Sequence, residues 1–270
     1  MSRYVAAAIQ MTSTSDEEAN FASAAELAAR AAAAGAAFVA TPENANFLGP
    51  HAAKVRRAEP LGGATCERYA GVARDLGVFF LLGSFNERAD DPSRCYNTSV
   101  LFSPAGDILA TYRKIHLFDV DVPGGVAFRE SQTILPGDQP VIAETPLGRL
   151  GMTICYDLRF GELYRRLVEL GAEVLLIPSA FTATTGKAHW ETMIRARAIE
   201  AQCWVIAPAQ SGRHDDDGLR ESHGQSLIVD PWGQIVASCP EGPGVALAEI
   251  DLARVERVRR AIPVAAHRRL

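Results

Sequence analysis

Three side chains in this 270-residue chain stand where a reaction could be run on them. Cys155 ends an apolar run, Leu150-Gly151-Met152-Thr153-Ile154, and is followed by Tyr156-Asp157-Leu158-Arg159-Phe160-Gly161 and a helical pattern. A cysteine at a sharp strand-to-helix turn is presented as a nucleophile. The residues after it offer backbone N–H groups to a developing oxyanion, and a helix N-terminus lowers a thiol pKa. Glu43 lies just past another apolar run, in Ala40-Thr41-Pro42-Glu43-Asn44, where the proline stops the ladder and projects the carboxylate from the sheet edge. Lys114 occupies the same kind of position in Thr111-Tyr112-Arg113-Lys114-Ile115-His116. Taken singly each has a bland reading: a buried structural cysteine, a solvated glutamate, a solvated lysine. Taken together they are a thiol, a carboxylate and an ammonium after three strand ends, where side chains of α/β sheets converge on a ligand crevice. Those are the parts of covalent acyl transfer without a metal, with Glu43 as the base that a thiol of pKa near 8.5 needs. Burial is expected to raise the Glu43 pKa towards useful values.

The elements that must position these residues are legible around them. Ala36 to Ala40 reads as the buried strand that delivers Glu43. Before it, Ser15-Asp16-Glu17-Glu18 predicts a capping box between the Ser15 hydroxyl and the Glu18 carboxylate. Phe21, Ala24, Ala25, Leu27, Ala28 and Ala31 then give the helix a small-residue apolar face that ends near Gly35. The order repeats, with a helix over Arg68 to Leu76 before Val78 to Leu82, and one over Glu162 to Leu170 before Val174 to Ile177. Parallel or mixed α/β architecture follows. Pro104-Ala105-Gly106, Pro146-Leu147-Gly148 and Pro231-Trp232-Gly233 each predict a β-hairpin, because proline presets φ and glycine accepts the positive φ that closes the turn. Three hairpins make a simple doubly wound sheet too small. The expected fold is a four-layer α-β-β-α sandwich of two mixed sheets packed face to face. No linker or composition shift divides residues 1–270, so a single domain is expected, with Asp215-Asp216-Asp217 its most polar loop.

Composition narrows the classes of function. Lys plus Arg number 27 against 32 Asp plus Glu, a formal charge of −5. With no basic run, neither a nucleic-acid face nor an anionic-membrane face is expected. No stretch reaches the ~18 apolar residues of a membrane span, and Tyr4 leads straight into a strand rather than a signal peptide. Cys66, Cys95, Cys155, Cys203 and Cys239 are odd in number and never form C-x-x-C, which fits free thiols in a cytoplasmic protein. The histidines lack metal-ligand spacing, so no metal and no cofactor is expected. His214 and His223 straddle the acidic loop, and His189, conceivable as a papain-like partner of Cys155, reads instead as a neighbour of a helix cap. Arg257, Arg259 and Arg260 fit the negative end of a C-terminal helix dipole better than a phosphate site.

Thr41-Pro42-Glu43-Asn44, Tyr112-Arg113-Lys114-Ile115-His116-Leu117-Phe118-Asp119 and Gly151-Met152-Thr153-Ile154-Cys155-Tyr156-Asp157-Leu158-Arg159-Phe160 resemble the three signature segments of the nitrilase superfamily of carbon-nitrogen hydrolases. The resemblance covers essentially the whole chain and implies the same α-β-β-α sandwich. It maps the superfamily's Glu-Lys-Cys triad onto Glu43, Lys114 and Cys155. Glu130, in Phe128-Arg129-Glu130-Ser131, matches a further acid that positions the lysine and the substrate. It implies a thioester on Cys155, with the oxyanion held by Lys114 and the N–H of Tyr156. Pro178 to Thr182, Thr185 to Glu191, Arg195 to Glu200 and Ala209 to His214 are most similar to the deaminated-glutathione amidase branch. The implied substrate is a small amide bearing carboxylates, cleaved to 2-oxoglutarate and Cys-Gly. Arg159 and Arg195 are candidates for its carboxylates, and Phe181 and Thr182 for the pocket lining. The bland alternative makes Arg159 a helix brace and pairs Arg195 and Arg197 with Glu191 and Glu200.

Two departures stand out. Gly224-Gln225-Ser226 replaces an expected Gly-His-Ser, with the histidine displaced to His223, and the chain stops at His267-Arg268-Arg269-Leu270 where relatives carry a tail used in subunit packing. The resemblance still implies a homodimer or larger homo-oligomer. The runner-up activity is an ω-amidase acting on 2-oxoglutaramate, followed by a carbamoyl amidase or nitrilase. The non-enzyme alternative is a scaffold or binding protein of the same fold.

Overall fold

The computed structural model describes residues 2–121, 127–215 and 221–269. In chain order the first half runs β1 (Arg3–Gln10), α1 (Glu17–Ala33), β2 (Ala36–Ala40), α2 (His51–Arg56), α3 (Ala64–Leu76), β3 (Phe79–Arg88), β4 (Cys95–Phe102) and β5 (Ile108–Arg113). Short strands follow: β6 (Asp119–Asp121), β7 (Ala127–Arg129) and β8 (Ile134–Leu135). The second half runs β9 (Val141–Thr145), β10 (Gly148–Met152), α4 (Gly161–Glu169), β11 (Val174–Leu176), α5 (Ala183–Ala201) and β12 (Trp204–Ala207). It ends with β13 (Ser211–Arg213), β14 (Glu221–His223), β15 (Leu227–Val229), β16 (Ile235–Ser238), β17 (Gly244–Asp251), α6 (Leu252–Ala261) and α7 (Val264–His267).

Two mixed sheets dominate, in the orders β17-β1-β2-β3-β4-β5, with β8 beside β4, and β16-β15-β12-β11-β10-β9. Period-two alternation explains how the first sheet is packed on both faces. Tyr4, Ala6, Ala8, Phe38, Ala40, Leu81 and Leu101 join the core shared with the second sheet, which includes Leu150, Met152, Leu175 and Ile206. Their neighbours Ala7, Ile9, Val39, Phe80, Leu82, Val100 and Phe102 pack instead with Ala24, Leu27 and Ala28 of α1 and Tyr69, Ala70 and Ala73 of α3. Burying each such Leu or Phe is worth about 1.5–3 kcal/mol. Helices α4 and α5 cover the other face of the second sheet through Leu163, Leu167, Trp190 and Ile194. The result is the α-β-β-α sandwich, and the three Pro-x-Gly turns join β4 to β5, β9 to β10 and β15 to β16 as antiparallel hairpins.

Three local expectations are corrected. The N-cap of α1 is Asp16, whose side chain accepts from the N–H groups of Glu18 and Ala19. Ser15 is turned outward, its hydroxyl donating to Asp215 at 2.5 Å. Helix α3 starts at Ala64 rather than Arg68, because the upstream Glu59 carboxylate accepts from the Thr65 N–H at 2.8 Å and the Thr65 hydroxyl at 2.7 Å and so caps an earlier turn. Strand β3 continues past Leu82 to Arg88, since its buried polar residues find partners across the sheet: Thr98 donates to Glu87 at 2.6 Å. Of the acidic loop, Asp216 and Asp217 lie outside the described residues.

Candidate active site

Glu43, Lys114, Glu130 and Cys155 come together in one buried pocket, each between 2% and 7% exposed. Glu43 is delivered from the end of β2. Thr41 is paired to β3 through its N–H and hydroxyl, both donating to the Leu81 carbonyl at 3.0 Å. Gly83 lets the chain turn there, since a Cβ at that position would collide with the carbonyl oxygens of Thr41 and Pro42. Lys114 follows β5, its N–H donating to the Asn97 carbonyl of β4 at 2.9 Å. Glu130 opens a single 3-10 turn (Glu130–Gln132) and accepts the Phe118 N–H at 2.6 Å.

The charges interlock. Lys114 Nζ lies 2.9 Å from Glu43 Oε1 and 2.9 Å from Glu130 Oε2. Asn97 Nδ2 donates to Glu43 Oε1 at 2.9 Å and, more weakly, to Glu130 Oε1 at 3.4 Å. The other Glu43 oxygen accepts the Ala180 N–H, from the loop after β11, at 2.9 Å, and the Cys155 thiol lies close enough to the same carboxylate for the two to perturb each other's ionisation. Burial alone pushes the Glu43 carboxyl up, yet the Lys114 ammonium and these hydrogen bonds outweigh it and hold the group below the usual glutamate value. The expected upward shift is thus reversed, because sequence reading weighs the loss of water without the cation that replaces it. Burial lowers the Lys114 pKa, but the Glu130 and Glu43 carboxylates dominate and keep it well above the ordinary lysine value. Burial and the nearby Glu43 charge push the Cys155 thiol well up. The resting state is therefore a neutral thiol beside an ionised carboxylate and an ammonium.

Cys155 is held by different means. Its φ is +48°, a left-handed conformation unusual for a residue with a Cβ. Its N–H donates to the Pro178 carbonyl at 2.9 Å, and the chain turns at once into a short 3-10 helix (Cys155–Arg159) before α4. Asp157, fully buried, braces this elbow. It accepts from the Ile154 N–H at 2.9 Å, the Tyr112 hydroxyl at 2.7 Å and the His116 N–H at 3.0 Å, and meets His116 Nδ1 at 2.8 Å. The other four cysteines are also buried and unbridged. Burial pushes Cys95, Cys203 and Cys239 to about 11 and raises Cys66.

Of the residues singled out for substrate, Tyr156, Phe181 and Thr182 line the pocket around Cys155, together with Phe118 and Phe128. Arg159 and Arg195 do not. The Arg159 guanidinium lies 5.8 Å from the Tyr156 ring centre and 5.2 Å from that of Phe181, and meets His189 at 3.4 Å. Arg195 donates to the Gly233 carbonyl at 2.9 Å and pairs with Glu191. Arg197 donates to Glu200 at 2.6 Å and to the Leu158 carbonyl at 2.9 Å. Each of these three arginines has a protein partner on another element or on its own helix. His189 lies exposed within α5 rather than before it. His214 bonds Ser13 and Ser222, and His223 meets Gln225 at 3.3 Å. The C-terminal arginines are used structurally, Arg257 donating to Asp251 and Arg259 to the Ala172 carbonyl.

Sequence reading missed Asn97, Lys54 and the brace role of Asp157. Asn97 had a signal, the polar run Asn97-Thr98-Ser99 inside an otherwise apolar strand. Lys54 had none, since a lysine in a six-residue helix reads as solvated.

The geometry gathers a thiol, two carboxylates and an ammonium in one buried pocket, and comparison with known proteins gives the class. The carbon-nitrogen hydrolase family model matches residues 5–260. The chain belongs to this family, within the nitrilase superfamily. It is 47% identical over 270 residues to the deaminated glutathione amidase of Bos taurus, covering 97% of this chain and 81% of that one. It is 45% identical over 271 residues to a deaminated glutathione amidase of Synechocystis, covering 99% of each. Among solved structures, the Caenorhabditis elegans NitFhit protein superposes with a TM-score of 0.93 at 40% identity, over 100% of this chain and 66% of the longer NitFhit chain. The protein is an amidase of the nitrilase superfamily. Among the described residues no helix is long and apolar enough to cross a membrane.

Proposed function

We propose that the chain hydrolyses the linear amide of deaminated glutathione through a thioester on Cys155, with residues 1–270 acting as one catalytic unit. The observation that carries this reading is the single carboxylate of Glu43 shared by the Cys155 thiol, the Lys114 ammonium and the Ala180 N–H. Ionised Glu43 removes the thiol proton as sulfur attacks the amide carbon. Lys114 and the Tyr156 N–H stabilise the oxyanion, in a site with little water to screen them. Protonated Glu43 gives its proton to the departing amine of Cys-Gly, leaving the 2-oxoglutaryl thioester. The same carboxylate then takes a proton from water as the water oxygen attacks the thioester. The C–S bond breaks, 2-oxoglutarate leaves, and the proton returns to sulfur. The names of the full-length relatives support the substrate, and the aromatic pocket with polar depth supports a linear acyl chain. The family resemblance supports assembly as a homodimer or larger.

The test is kcat/KM of the purified protein for deaminated glutathione beside 2-oxoglutaramate, with Cys155→Ala as the blank. Preference for deaminated glutathione, abolished in the variant, is expected. Preference for 2-oxoglutaramate makes the chain an ω-amidase. Inactivity on both, with Cys155 unreactive to electrophiles, makes it a scaffold.

A further inference from the structure

The catalytic pocket holds a second buried ammonium that the chemistry above does not use. Lys54, on α2, is 2% exposed and lines the pocket, its Nζ donating to Asn44 Oδ1 at 3.2 Å. Glu43 and Glu130 bring two formal negative charges to this wall and Lys114 one positive charge, so without Lys54 an anionic substrate would meet net repulsion. Lys114 is wedged between its two carboxylates, and the Lys54 charge acts on the Glu43 side of the same wall. The arginines that the sequence offered for a carboxylate are not among the residues lining the pocket: Arg159 lies against the Tyr156 and Phe181 rings and Arg195 donates to the Gly233 carbonyl. Thr182 and Thr185, their hydroxyls 2.7 Å apart, add polar lining where α5 begins.

We propose that Lys54 binds the carboxylate at the acyl end of the substrate and so seats the scissile carbonyl on Cys155. The inference rests on the reading that the substrate is a linear amide with an acyl-end carboxylate. Depth decides which end is held. A lysine buried this far lies with the half that stays in the pocket as thioester, while the amine half must leave through the mouth. The contact made is a charge-assisted hydrogen bond.

The experiment compares wild type, Lys54→Met, Lys54→Arg and Asn44→Asp. The last keeps the lysine but places a competing carboxylate against it. For Lys54→Met, kcat/KM on deaminated glutathione and 2-oxoglutaramate is expected to fall together by about 10- to 100-fold, mostly through KM. The methyl ester of 2-oxoglutaramate, with its acyl carboxylate masked, is expected to be hydrolysed equally by wild type and variant. Lys54→Arg should recover part of the loss and Asn44→Asp should reproduce it. A binding readout needs no turnover: glutarate should protect Cys155 from iodoacetamide, followed by intact mass, in wild type and not in Lys54→Met or Asn44→Asp. An equal loss on the ester, a loss confined to deaminated glutathione, or glutarate protection in every variant overturns the proposal. If Lys54→Met does not fold, protection retained in Asn44→Asp overturns it. If wild type hydrolyses neither acid while glutarate protects wild type alone, the assigned reaction fails and the carboxylate subsite stands.

Discussion

The two sheets furnish the site in contrasting ways. Glu43, Lys114, Glu130 and Asn97 come from the first sheet or the segments that follow its strands, and they are held by one another through charge. Cys155 comes from the end of β10 in the second sheet and is held by backbone geometry, a left-handed φ braced by Asp157. In the proposed chemistry the proton passes between Glu43 of the first half and the Cys155 thiol of the second. The second half has to be rigid, so its carboxylate is spent on backbone N–H groups, a phenol and an imidazole instead of on a substrate. The halves are joined where Glu43 accepts the Ala180 N–H and lies beside the thiol. Two carboxylates at similar burial thus have unrelated duties, set by whether a cation or a set of neutral donors faces them.

The largest expected break in this contrast is Cys155→Ala, which should remove all measurable amidase activity while leaving the unfolding temperature unchanged or raised, since a strained nucleophile is exchanged for an inert side chain. Glu43→Gln should follow, with kcat down by about 10²- to 10⁴-fold and a changed pH profile. In wild type the base is held below the usual glutamate value, so alkylation of Cys155 should stay level through neutral pH and fall only in acid. In Glu43→Gln it should be weak at neutral pH and rise only above the ordinary thiol range. A wild-type profile that instead tracks free thiolate would sink the role of Glu43 as base. The same depressed pKa carries a stability term of fixed sign: Glu43 stabilises the fold above its unfolded pKa, and that contribution disappears as pH falls through the folded one. Asp157→Ala acts on the other half. Orphaning its buried donors should cost on the order of 3 kcal/mol in denaturant unfolding; a cost close to zero would mean that the elbow supports itself. Arg195→Ala is the smallest, with less than about 0.5 kcal/mol expected and kcat/KM unchanged on every substrate.

How much could be read in advance follows the same division. Strand ends, hairpin turns and the alternating faces depend on local pattern, so the sandwich and the places of Glu43, Lys114 and Cys155 were visible in the chain. Glu130 was visible only through family resemblance, because its partners Lys114 and Phe118 lie 16 and 12 residues away in the chain. Asn97 and Lys54 depend on which of many polar residues is turned inward, a property of tertiary burial that no spacing encodes. Arg159 and Arg195 show the same dependence on tertiary placement. Their helical spacing from the nucleophile and from the pocket strand is suggestive, but the α4–α5 layer offers them nearer aromatic and carbonyl partners. The direction of the Glu43 shift failed for a related reason, since the sign depends on a 2.9 Å contact with a residue 71 positions away.

The inertness of the remaining thiols makes the molecule its own calibrant. Cys66, Cys95, Cys203 and Cys239 are buried with pKa values pushed upward, while Cys155 alone lies beside the ionised Glu43 carboxylate, which can take its proton. A small electrophile at neutral pH should therefore add once per correctly assembled chain. The moles of label bound would count catalytically competent molecules in any preparation, independently of which amide they cleave.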